Sequence, residues 1–543
     1  MKVFRLCKPY LLSQKYRLAA YIFLTMTTAA IAILSPFIIG DFLDTLIAGA
    51  SIEVILRFCI IFGGLSLLKI LKGYVTTMLS VKMYTKMIYN LNRDAIGHVH
   101  GLSLSFINQK DGAYLNQRLS TDSSGLLNFC VTMMQSIISH VFSLVVPFVI
   151  LLNMNWFIAL LMLAFIAAYI VSYKFFKKPV YNASFAAKEA HSNFFAKLFE
   201  QFKFTRLIKL NSVQEEMGKR TDENFGTYLD ATLKFRRVSY LHGGLDGIIS
   251  TLATIALFVV GGIQILAGNF TIGMFTIFTS YFNMMLGSVR SIFAFSMMYQ
   301  DVLVSHDRVK EIFDQKLEGN GDKIIDRIEK IELKDLGFSY TAAGVSVRRV
   351  VDKFNAVFAS GKIYAVSGAN GTGKSTLVSL ILGMYVDEYE GKISFNGADT
   401  REIDMVKTRK QLFGFAEQEP QLINESIKFN LSFGGEIDES KLEKYINLLN
   451  MQEFIGKNGL DFDINEKNTN TSGGEKQKIS ILKVLYKNPA VMIFDEPTSA
   501  LDAGTTEKFM EYLKEIKRDK IVIIITHDDG IKENCDEVVS LSI

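Results

Sequence analysis

The sequence predicts an all-α membrane domain with six transmembrane helices, followed by an α/β domain. Three observations predict this order. Long apolar runs are confined to the first 300 of the 543 residues, the mixed composition of a soluble α/β domain begins near residue 323, and a glycine-rich loop motif lies in that second half. Hydrophobic residues make up 49% of the chain and charged residues 21%, which is more apolar than a soluble enzyme of this length requires.

Charge and cysteine content exclude two classes of protein. The chain has 59 basic and 55 acidic residues, a formal net charge of +4, which is too small for a nucleic-acid-binding surface, so no nucleic-acid partner is predicted. The four cysteines are widely scattered and have neither metal-binding nor redox spacing. A disulfide framework is therefore not predicted.

Six apolar runs predict the transmembrane helices, because each is close to the ~20 residues that cross about 30 Å of hydrocarbon. They are residues 18–40, 54–71, 131–152, 156–173, 247–267 and 273–289. The first run has no charged residue and is longer than the ~7–15 apolar residues of a secretory signal peptide. It is therefore predicted to be an uncleaved span that anchors the chain in the lipid bilayer.

The distribution of basic residues predicts the orientation. Five basic residues and no acidic residue precede the first span: Lys2, Arg5, Lys8, Lys15 and Arg17. The turn after this span has Asp41 and Asp44 and no basic residue. Because basic residues are enriched on the cytoplasmic side of a membrane, the N-terminus is predicted to be cytoplasmic. An even number of spans returns the C-terminal domain to the cytoplasm, and the protein is predicted to lie in the cytoplasmic membrane.

Two stretches between spans are long and basic, residues 81–130 and 174–241, and are predicted to be cytoplasmic. The second contains almost no glycine or proline, so it is predicted to continue two membrane helices as a helical hairpin. A segment with two glycines, residues 317–322 (LEGNGD), is typical of a linker. We therefore expect a transmembrane domain at 1–316, a linker at 317–326 and a second domain at 327–543.

A phosphate-binding loop begins the chemistry of the second domain. An apolar strand pattern at 362–367 leads directly into GANGTGKS at 368–375 and then into a helical pattern, which is the GxxxxGK[ST] motif in its strand–loop–helix context. Lys374 is expected to contact the β- and γ-phosphates and the Ser375 hydroxyl to ligate Mg²⁺. The predicted ATP-binding residues of this loop are Gly368, Asn370, Gly371, Gly373, Lys374, Ser375 and Thr376, so the domain is predicted to be a P-loop NTPase.

Two adjacent carboxylates follow a buried-strand pattern later in the domain. The apolar run 490–494 ends in Asp495 and Glu496, and carboxyl ends of parallel strands are where α/β sheets bind ligands. Asp495 is expected to hold Mg²⁺ through water. Glu496 is expected to polarise the attacking water as general base.

Between these motifs lies Thr471-Ser-Gly-Gly-Glu475, which resembles the LSGGQ signature of ATP-binding-cassette (ABC) ATPases. Further elements of that family occur in order: Tyr340 at the adenine-stacking position, Gln418 in the Q-loop, 499–502 as the D-loop and His527 as the switch histidine. The resemblance covers the whole chain, since six spans fused to such a cassette are similar to an exporter-type half-transporter. The stretch 102–122 also resembles the first intracellular loop of that group.

The resemblance implies roles for these residues and a partner. Ser472, Gly473 and Gly474 would grip the γ-phosphate of ATP bound by the opposite subunit, and Asp502 of the D-loop would be a further ATP-binding residue. Gln418 would sense Mg²⁺ and γ-phosphate, and His527 would hold the γ-phosphate in the transition state. The implied assembly is a dimer of half-transporters, expected to be a homodimer.

The signature departs from the family pattern. Thr471 stands where Leu is usual and Glu475 where Gln is usual, and residues 465–468 are a loose version of the loop that precedes the signature. The chain also ends soon after His527, without the closing strand and tail helices typical of the family. Because the Ser-Gly-Gly core is intact, we expect an active ATPase. A heterodimer with a degenerate partner stays open.

Ionisable residues in or beside the spans give the only indication of cargo: Lys69, Lys72, His140, Asp246 and Arg290. They could bind an anionic group of the cargo, or the two lysines and Arg290 could extend to the cytoplasmic interface. The prediction is ATP-driven export of a peptide or an amphiphile across the cytoplasmic membrane, with no peptidase-like segment before the first span. A lipid or multidrug exporter or flippase, or one half of a heterodimer, is the alternative. A soluble cassette enzyme, a non-transporting regulator and an importer are disfavoured.

Overall fold

The chain folds into two compact units. In the computed structural model, unit 1 comprises Met1–Ile96 and Asn116–Phe313, and unit 2 comprises Gly97–Leu115 and Asp314–Ile543. The predicted domain boundaries at 316 and 326 stay predictions. The structure describes residues 2–108, 115–116, 118–342, 345–369, 371–464 and 471–541.

Unit 1 is helical throughout its described residues. Its helices are α1 (Lys2–Ser13), α2 (Lys15–Ile47), α3 (Ile52–His100), α5 (Ser123–Met154), α6 (Trp156–Lys203), α7 (Thr205–Asn211), α8 (Gln214–Leu266) and α9 (Ile272–Phe313), and α4 (Leu104–Asn108) belongs to unit 2. A π-helical turn at Arg118–Asp122 precedes α5. Six helices are long and apolar enough to cross a membrane, each covering one of the six predicted apolar runs, so the prediction of six spans is confirmed.

Three of these helices are much longer than a membrane is thick. Helices α3, α6 and α8 contain 49, 48 and 53 residues. At 1.5 Å per residue each extends more than about 70 Å, over twice the ~30 Å of a hydrocarbon core. Helices α6 and α8 are joined through the short helix α7, which confirms the predicted helical hairpin.

Unit 1 is held together by apolar faces of its helices. One cluster joins α2, α5, α6, α8 and α9, and within it the buried Tyr281 hydroxyl donates a hydrogen bond to the Ile33 carbonyl at 2.7 Å. A second cluster packs α1 against α3, α5 and α9. The first helix is therefore part of the packed unit, with Val3, Cys7 and Leu11 buried.

Unit 2 contains two sheets. A four-stranded antiparallel sheet has the order β2-β1-β4-β5, and a five-stranded parallel sheet has the order β6-β7-β8-β3-β9. The strands are β1 (Lys330–Ala342), β2 (Val345–Ala359), β3 (Lys362–Ser367), β4 (Glu390–Phe395), β5 (Ala398–Asp399), β6 (Phe413–Ala416), β7 (Val491–Asp495), β8 (Ile521–Ile525) and β9 (Glu537–Ser540). Every residue of β7 and β8 is buried, as expected for parallel strands covered on both faces.

Helices surround the parallel sheet. They are α10 (Lys374–Ile381), α11 (Met405–Leu412), α12 (Ile427–Ser432), α13 (Glu439–Leu448), α14 (Gln452–Asn458), α15 (Gly473–Lys487), α16 (Ala503–Ile516) and α17 (Asp529–Glu533). This α/β unit after an all-α unit confirms the predicted fold class. Helix α17 and strand β9 follow His527, and β9 pairs with β3 at the edge of the sheet, so the expectation that no strand closes the domain after this histidine is wrong. Because β3, β7 and β8 are parallel neighbours, their carboxyl ends meet at one edge, where a ligand site is expected.

Part of the segment between the second and third spans, residues 97–108, packs within unit 2. The Glu318 amide donates to the Gly101 carbonyl at 2.7 Å, and Leu102 forms an isolated β-bridge with Leu317. In α4, Asn108 donates to the Tyr385 hydroxyl at 3.4 Å. The short helix α4 and the residues just before it, which lie between two spans in the sequence, therefore pack in the same unit as the two sheets.

Candidate nucleotide-binding site

The glycine-rich loop lies between β3 and α10. Gly371 and Gly373 have φ values of 81° and 91°, a left-handed conformation that favours glycine. A Cβ on Gly373 would lie 2.5 Å from Val350 Cγ1, and one on Gly368 would lie 2.7 Å from the Leu541 carbonyl oxygen. The loop therefore closes so tightly that only glycine fits at these positions. Asn370, the remaining predicted residue of the loop, lies outside the described residues.

The Lys374 ammonium is folded over this loop. It donates to the Gly368 carbonyl at 2.8 Å and to the Ala369 carbonyl at 3.1 Å, and it lies 2.9 Å from His527 Nε2. The lysine and the histidine, 153 residues apart, therefore point at the same place. A phosphate bound in the loop would lie among backbone N–H groups, this ammonium and the imidazole, which together favour an anion.

Ten of the predicted site residues converge on one cavity of about 330 Å³. Its lining residues are Tyr340, Val350, Gly371, Gly373, Lys374, Ser375, Thr376, Gln418, Asp495, Glu496 and His527. All except Val350 were predicted from the sequence. Val350 was missed because it belongs to β2, with no motif of its own, and only the strand pairing brings it against Gly373.

Two adjacent carboxyl groups, those of Asp495 and Glu496, form the acidic edge of the cavity. Asp495 is 8% exposed, and burial together with the neighbouring Glu496 charge raises its pKa to about 6, against the opposing influence of Lys374 and His527. A buried carboxylate of this kind favours a cation, and Ser375 and Gln418 supply neutral oxygens on the same cavity. This donor set fits Mg²⁺, which binds through one or two carboxylates and completes its shell with water and phosphate.

Glu496 has a strained backbone. Its φ of 50° and ψ of 47° are left-handed, which costs a non-glycine residue about 1–3 kcal/mol and is common at functional sites. The Glu496 amide donates to the Ile525 carbonyl at 2.9 Å, and the Glu496 carbonyl accepts from Gln477 Nε2 at 2.8 Å. Glu496 Oε1 lies 3.7 Å from His527 Nε2. Gln477 was missed from the sequence, although a glutamine within an apolar helix pattern is a signal of a buried polar contact.

Tyr340 lies at the rim of the cavity. Its side chain is 39% exposed, and its hydroxyl lies 3.0 Å from Thr376 Oγ1. The ring packs edge-on against Phe338 at 5.1 Å between centroids. A partly exposed aromatic face beside a phosphate-binding loop is suited to stacking on a nucleotide base.

The signature residues lie at the start of α15 and do not line this cavity. Ser472 and Glu475 form a capping box: Ser472 Oγ accepts from the Glu475 amide at 3.2 Å, and the Ser472 amide donates to Glu475 Oε2 at 2.6 Å. Gly473 and Gly474 form the first turn of the helix. The preceding loop at 465–468 lies outside the described residues.

Asp502 also caps a helix away from the cavity. Its carboxylate accepts from the Thr505 amide and from the Thr505 hydroxyl, both at 2.9 Å, and these hydrogen bonds hold the pKa of Asp502 below its usual value. Asp502 thus fixes the start of α16, and the structure gives it no contact with the cavity residues among the described part of the chain.

Two charged residues in the membrane half pair with each other. Arg290 Nε lies 2.8 Å from Asp246 Oδ2, and Arg290 Nη2 donates to Asp246 Oδ1 at 2.8 Å, a bidentate pair between α9 and α8. Lys72 donates to the Thr27 hydroxyl. Arg290 is therefore paired with Asp246 rather than simply extended toward the interface.

Two small cavities in unit 1 carry the remaining basic groups. His140 lines a cavity of about 270 Å³ together with Ser136 and Tyr299 and otherwise apolar side chains. Lys69 lines one of about 150 Å³ with Ser35 and Ser66. The cavity beside His140 is lined mainly by apolar side chains, and the cavity beside Lys69 combines apolar side chains with two serines and one basic group.

Comparisons with known proteins agree with this arrangement. The family model described as "ABC transporter transmembrane region" matches residues 18–289, and the one described as "ABC transporter" matches residues 351–499. ABC transporter B family member 1 of Dictyostelium discoideum is 28% identical over 481 residues, which cover 84% of this chain and 50% of that protein. The chain thus spans about half the length of that relative.

Two bacterial relatives are matched over most of their length. The ATP-dependent lipid A-core flippase of Shigella flexneri is 23% identical, covering 88% of this chain and 82% of the relative. That of Desulfotalea psychrophila is 23% identical, covering 96% and 92%. The solved structure of a bacterial Atm1-family ABC exporter with ATP bound has a TM-score of 0.82 and 19% identity, covering 97% of this chain and 94% of that one. That likeness concerns the fold.

Proposed function

The chain belongs to the ABC transporter family, and we propose that it exports an amphiphilic molecule as a homodimer powered by ATP at the site described above. It is a multi-pass membrane protein and an ATPase coupled to transport, with an exporter-type half-transporter architecture. The observation that carries the proposal is the convergence of the phosphate loop, two acidic residues, the glutamine and the histidine on one cavity.

The proposed hydrolysis uses positioning and charge. The loop amides and Lys374 would hold the phosphates, Glu496 would take the proton from the attacking water, and His527 would stabilise charge on the γ-phosphate. The 3.7 Å separation of Glu496 Oε1 and His527 Nε2 supports their acting on the same group. Ser375, Gln418 and Asp495 would hold Mg²⁺, which when bound supplies neutralisation of phosphate charge.

The assembly is a dimer in the membrane, as for half-transporters of this family, and we propose two identical subunits. This chain carries both the phosphate-binding residues and the Ser472-Gly473-Gly474 turn, so two copies can complete two equal sites. Helix α15 begins at Ser472, and the positive end of its dipole suits this end of the helix to an anionic phosphate from the partner. Tyr340 would stack on adenine, and Asp502 would fix the interface loop.

We place the protein in the cytoplasmic membrane with both termini in the cytoplasm. The cluster of basic residues before the first span supports this orientation. The length of α3, α6 and α8 beyond the membrane supports it further, because these extensions lie on the side to which the basic stretches belong.

The cargo we propose is an amphiphile with an anionic group that enters from the cytoplasm or inner leaflet. The Lys69 ammonium, which lines one cavity of unit 1, supports an anionic group, and the mainly apolar cavity beside His140 supports an apolar part of the cargo. Relatives covering most of the chain are named as flippases of a lipid, which supports an amphiphile over a peptide. Peptide export, the other predicted cargo class, has no comparable support.

The test is ATP hydrolysis by the purified chain alone in lipid nanodiscs, with and without anionic lipids, neutral amphiphiles and peptides. We expect basal hydrolysis that anionic amphiphiles stimulate several-fold and that Glu496→Gln abolishes. His140→Ala and Lys69→Ala should reduce stimulation while leaving basal hydrolysis unchanged. Stimulation by peptides alone would overturn the cargo class, and hydrolysis that requires a second, different chain would overturn the homodimer.

A further inference from the structure

A buried glutamine joins the signature helix to the catalytic loop of the same subunit. Gln477, on α15, is 5% exposed. Its Nε2 donates to the Glu496 carbonyl at 2.8 Å, and its Oε1 accepts from the Ser499 hydroxyl at 2.9 Å. Both polar atoms of the side chain are therefore used on the turn that follows β7.

Of the three groups that donate to the Glu496 carbonyl, the Gln477 amide belongs to a different element and the other two belong to Ser499. The Glu496 carbonyl also lies 3.0 Å from Ser499 Oγ and 3.3 Å from the Ser499 amide. Those groups belong to the same turn and move with it, and the single hydroxyl proton of Ser499 is shared with Gln477 Oε1. The Gln477 amide is the shortest donor and comes from a different element, so it fixes the turn relative to α15.

The backbone of Glu496 needs such an external restraint. Its left-handed conformation is unfavourable for a residue with a side chain, and the direction of the carboxylate follows from it. On one side the Glu496 amide is held by β8 through the Ile525 carbonyl. On the other side the carbonyl is held by Gln477. A shift of α15 therefore changes the position of the proposed general base.

The same helix begins at the signature. Ser472 is its N-cap, Gln477 lies five residues later, and the capping box with Glu475 makes the first turn rigid. Five residues correspond to about 7.5 Å along a helix. A force applied at the start of α15 is thus transmitted to Gln477 without an intervening flexible segment.

We propose that Gln477 is a positioning residue that couples the two ATP sites of the dimer. When the start of α15 engages ATP held by the partner subunit, Gln477 sets Glu496 of its own subunit in the geometry for hydrolysis. The inference rests on the proposed dimer, in which each signature serves the other subunit's ATP. Gln477 itself touches neither nucleotide.

Three substitutions separate the two arms of this side chain. Gln477→Glu keeps the shape and the acceptor for Ser499 but has no N–H for the Glu496 carbonyl. Gln477→Ala removes both contacts. Ser499→Ala removes the hydroxyl that donates to Gln477 Oε1 and leaves the hydrogen bond from Gln477 Nε2 to the Glu496 carbonyl in place. Ser480→Ala is the matched control, because Ser480 is a 1% exposed residue of the same helix and its change leaves both Gln477 hydrogen bonds intact.

The experiment measures kcat, KM for ATP and thermal unfolding of the full chain in nanodiscs. We expect Gln477→Glu and Gln477→Ala to lower kcat about 10- to 100-fold with KM within about twofold, and Ser499→Ala to lower kcat less. Ser480→Ala should retain wild-type kcat. A fall in kcat that matches an equal loss of folded protein, in both Gln477 variants, would overturn the inference.

A double-substitution cycle tests the coupling itself. If Ser472 acts through Gln477, then Ser472→Ala with Gln477→Glu should have a kcat close to that of the slower single variant. If the double variant instead lowered kcat by the product of the two single reductions, Ser472 and Gln477 would act independently and the coupling would be overturned. The variant Glu496→Gln distinguishes failure of the proposed function from failure of this inference. Hydrolysis that survives Glu496→Gln refutes the proposed function. Hydrolysis that is lost with Glu496→Gln but unchanged in the Gln477 variants refutes only this inference.

Discussion

Substitution of Gly373 by alanine should abolish tight ATP binding through two separable effects. The first is conformational: at φ 91° an alanine is strained by about 1–2 kcal/mol. The second is steric: the new Cβ would lie 2.5 Å from Val350 Cγ1 and 3.0 Å from the Val350 carbonyl oxygen. Since ordinary contacts begin at 3.4 Å, β2 or the loop must move by about 0.9 Å, a change that costs about 1–3 kcal/mol in a packed interior.

Together these effects amount to about 2–5 kcal/mol against the binding conformation of the loop. At 1.4 kcal/mol per factor of ten, ATP affinity should fall roughly 30-fold or more. Isothermal titration with ATP in the absence of divalent cations measures binding without turnover. Gly397→Ala is the matched control, because Gly397 has a φ of 85° but open space around its Cβ position, and it should leave ATP affinity within about twofold.

The steric part can be relieved independently. Val350→Ala removes Cγ1, so the double variant Val350→Ala/Gly373→Ala should bind ATP about tenfold more tightly than Gly373→Ala alone while staying weaker than wild type. An affinity of Gly373→Ala within threefold of wild type would refute the reasoning. So would a double variant no better than the single one, since Val350 would then not be the obstacle.

Three further outcomes are expected. Glu496→Gln should lower kcat at least about 100-fold, keep ATP affinity and accumulate ATP-bound dimers on size-exclusion chromatography; undiminished hydrolysis would remove Glu496 as general base. Because the pKa of Asp495 is raised to about 6, Mg-ATP affinity should fall about fivefold from pH 6 to pH 5. The protonated Asp495 carboxyl stabilises the nucleotide-free fold at low pH, and this contribution is lost as the pH rises through about 6. Asp495→Asn should therefore flatten the pH dependence of both Mg-ATP affinity and stability. A wild-type Mg-ATP affinity that does not change with pH would contradict the assignment. Asp246→Asn should lower the melting temperature in nanodiscs by about 2 °C, a modest shift because Arg290 is 41% exposed, and the charge-exchanged pair Asp246→Arg/Arg290→Asp should recover it unless the pair contributes nothing.

The features that sequence reasoning predicted are contiguous in the chain. A span is about 20 consecutive apolar residues, and the phosphate loop is eight consecutive residues between a strand and a helix. Each can therefore be identified from a single short stretch of the sequence. The cavity confirms that these contiguous motifs meet, because parallel strands β3, β7 and β8 bring their carboxyl ends to one edge. The order of motifs along the chain was sufficient for this part of the site.

The features that sequence reasoning missed depend on distant partners. Val350 approaches Gly373 because of how β2 is paired, and Gln477 reaches Glu496 because one face of α15 packs against the end of β7. The pairing of Asp246 with Arg290 joins residues 44 positions apart on two helices. Val350 has no distinguishing local pattern. Gln477, Asp246 and Arg290 stand out as polar residues in apolar stretches, but their partners follow from tertiary packing that neither propensity nor spacing encodes.

The departure at Glu475 shows how far a family pattern can vary without loss of local structure. Glutamate and glutamine can both accept from the N-cap amide of a capping box, and here Glu475 does so at 2.6 Å while its own amide donates to Ser472. The start of α15 is therefore fixed in the same way by either residue. What glutamate adds is a negative charge beside the turn proposed to meet the partner's γ-phosphate, and this charge opposes the helix-end field that attracts phosphate. We therefore expect the consequence of the departure to be electrostatic: the proposed ATP-bound dimer would be held less tightly, while the proposed path from Ser472 through Gln477 to Glu496 would be unchanged.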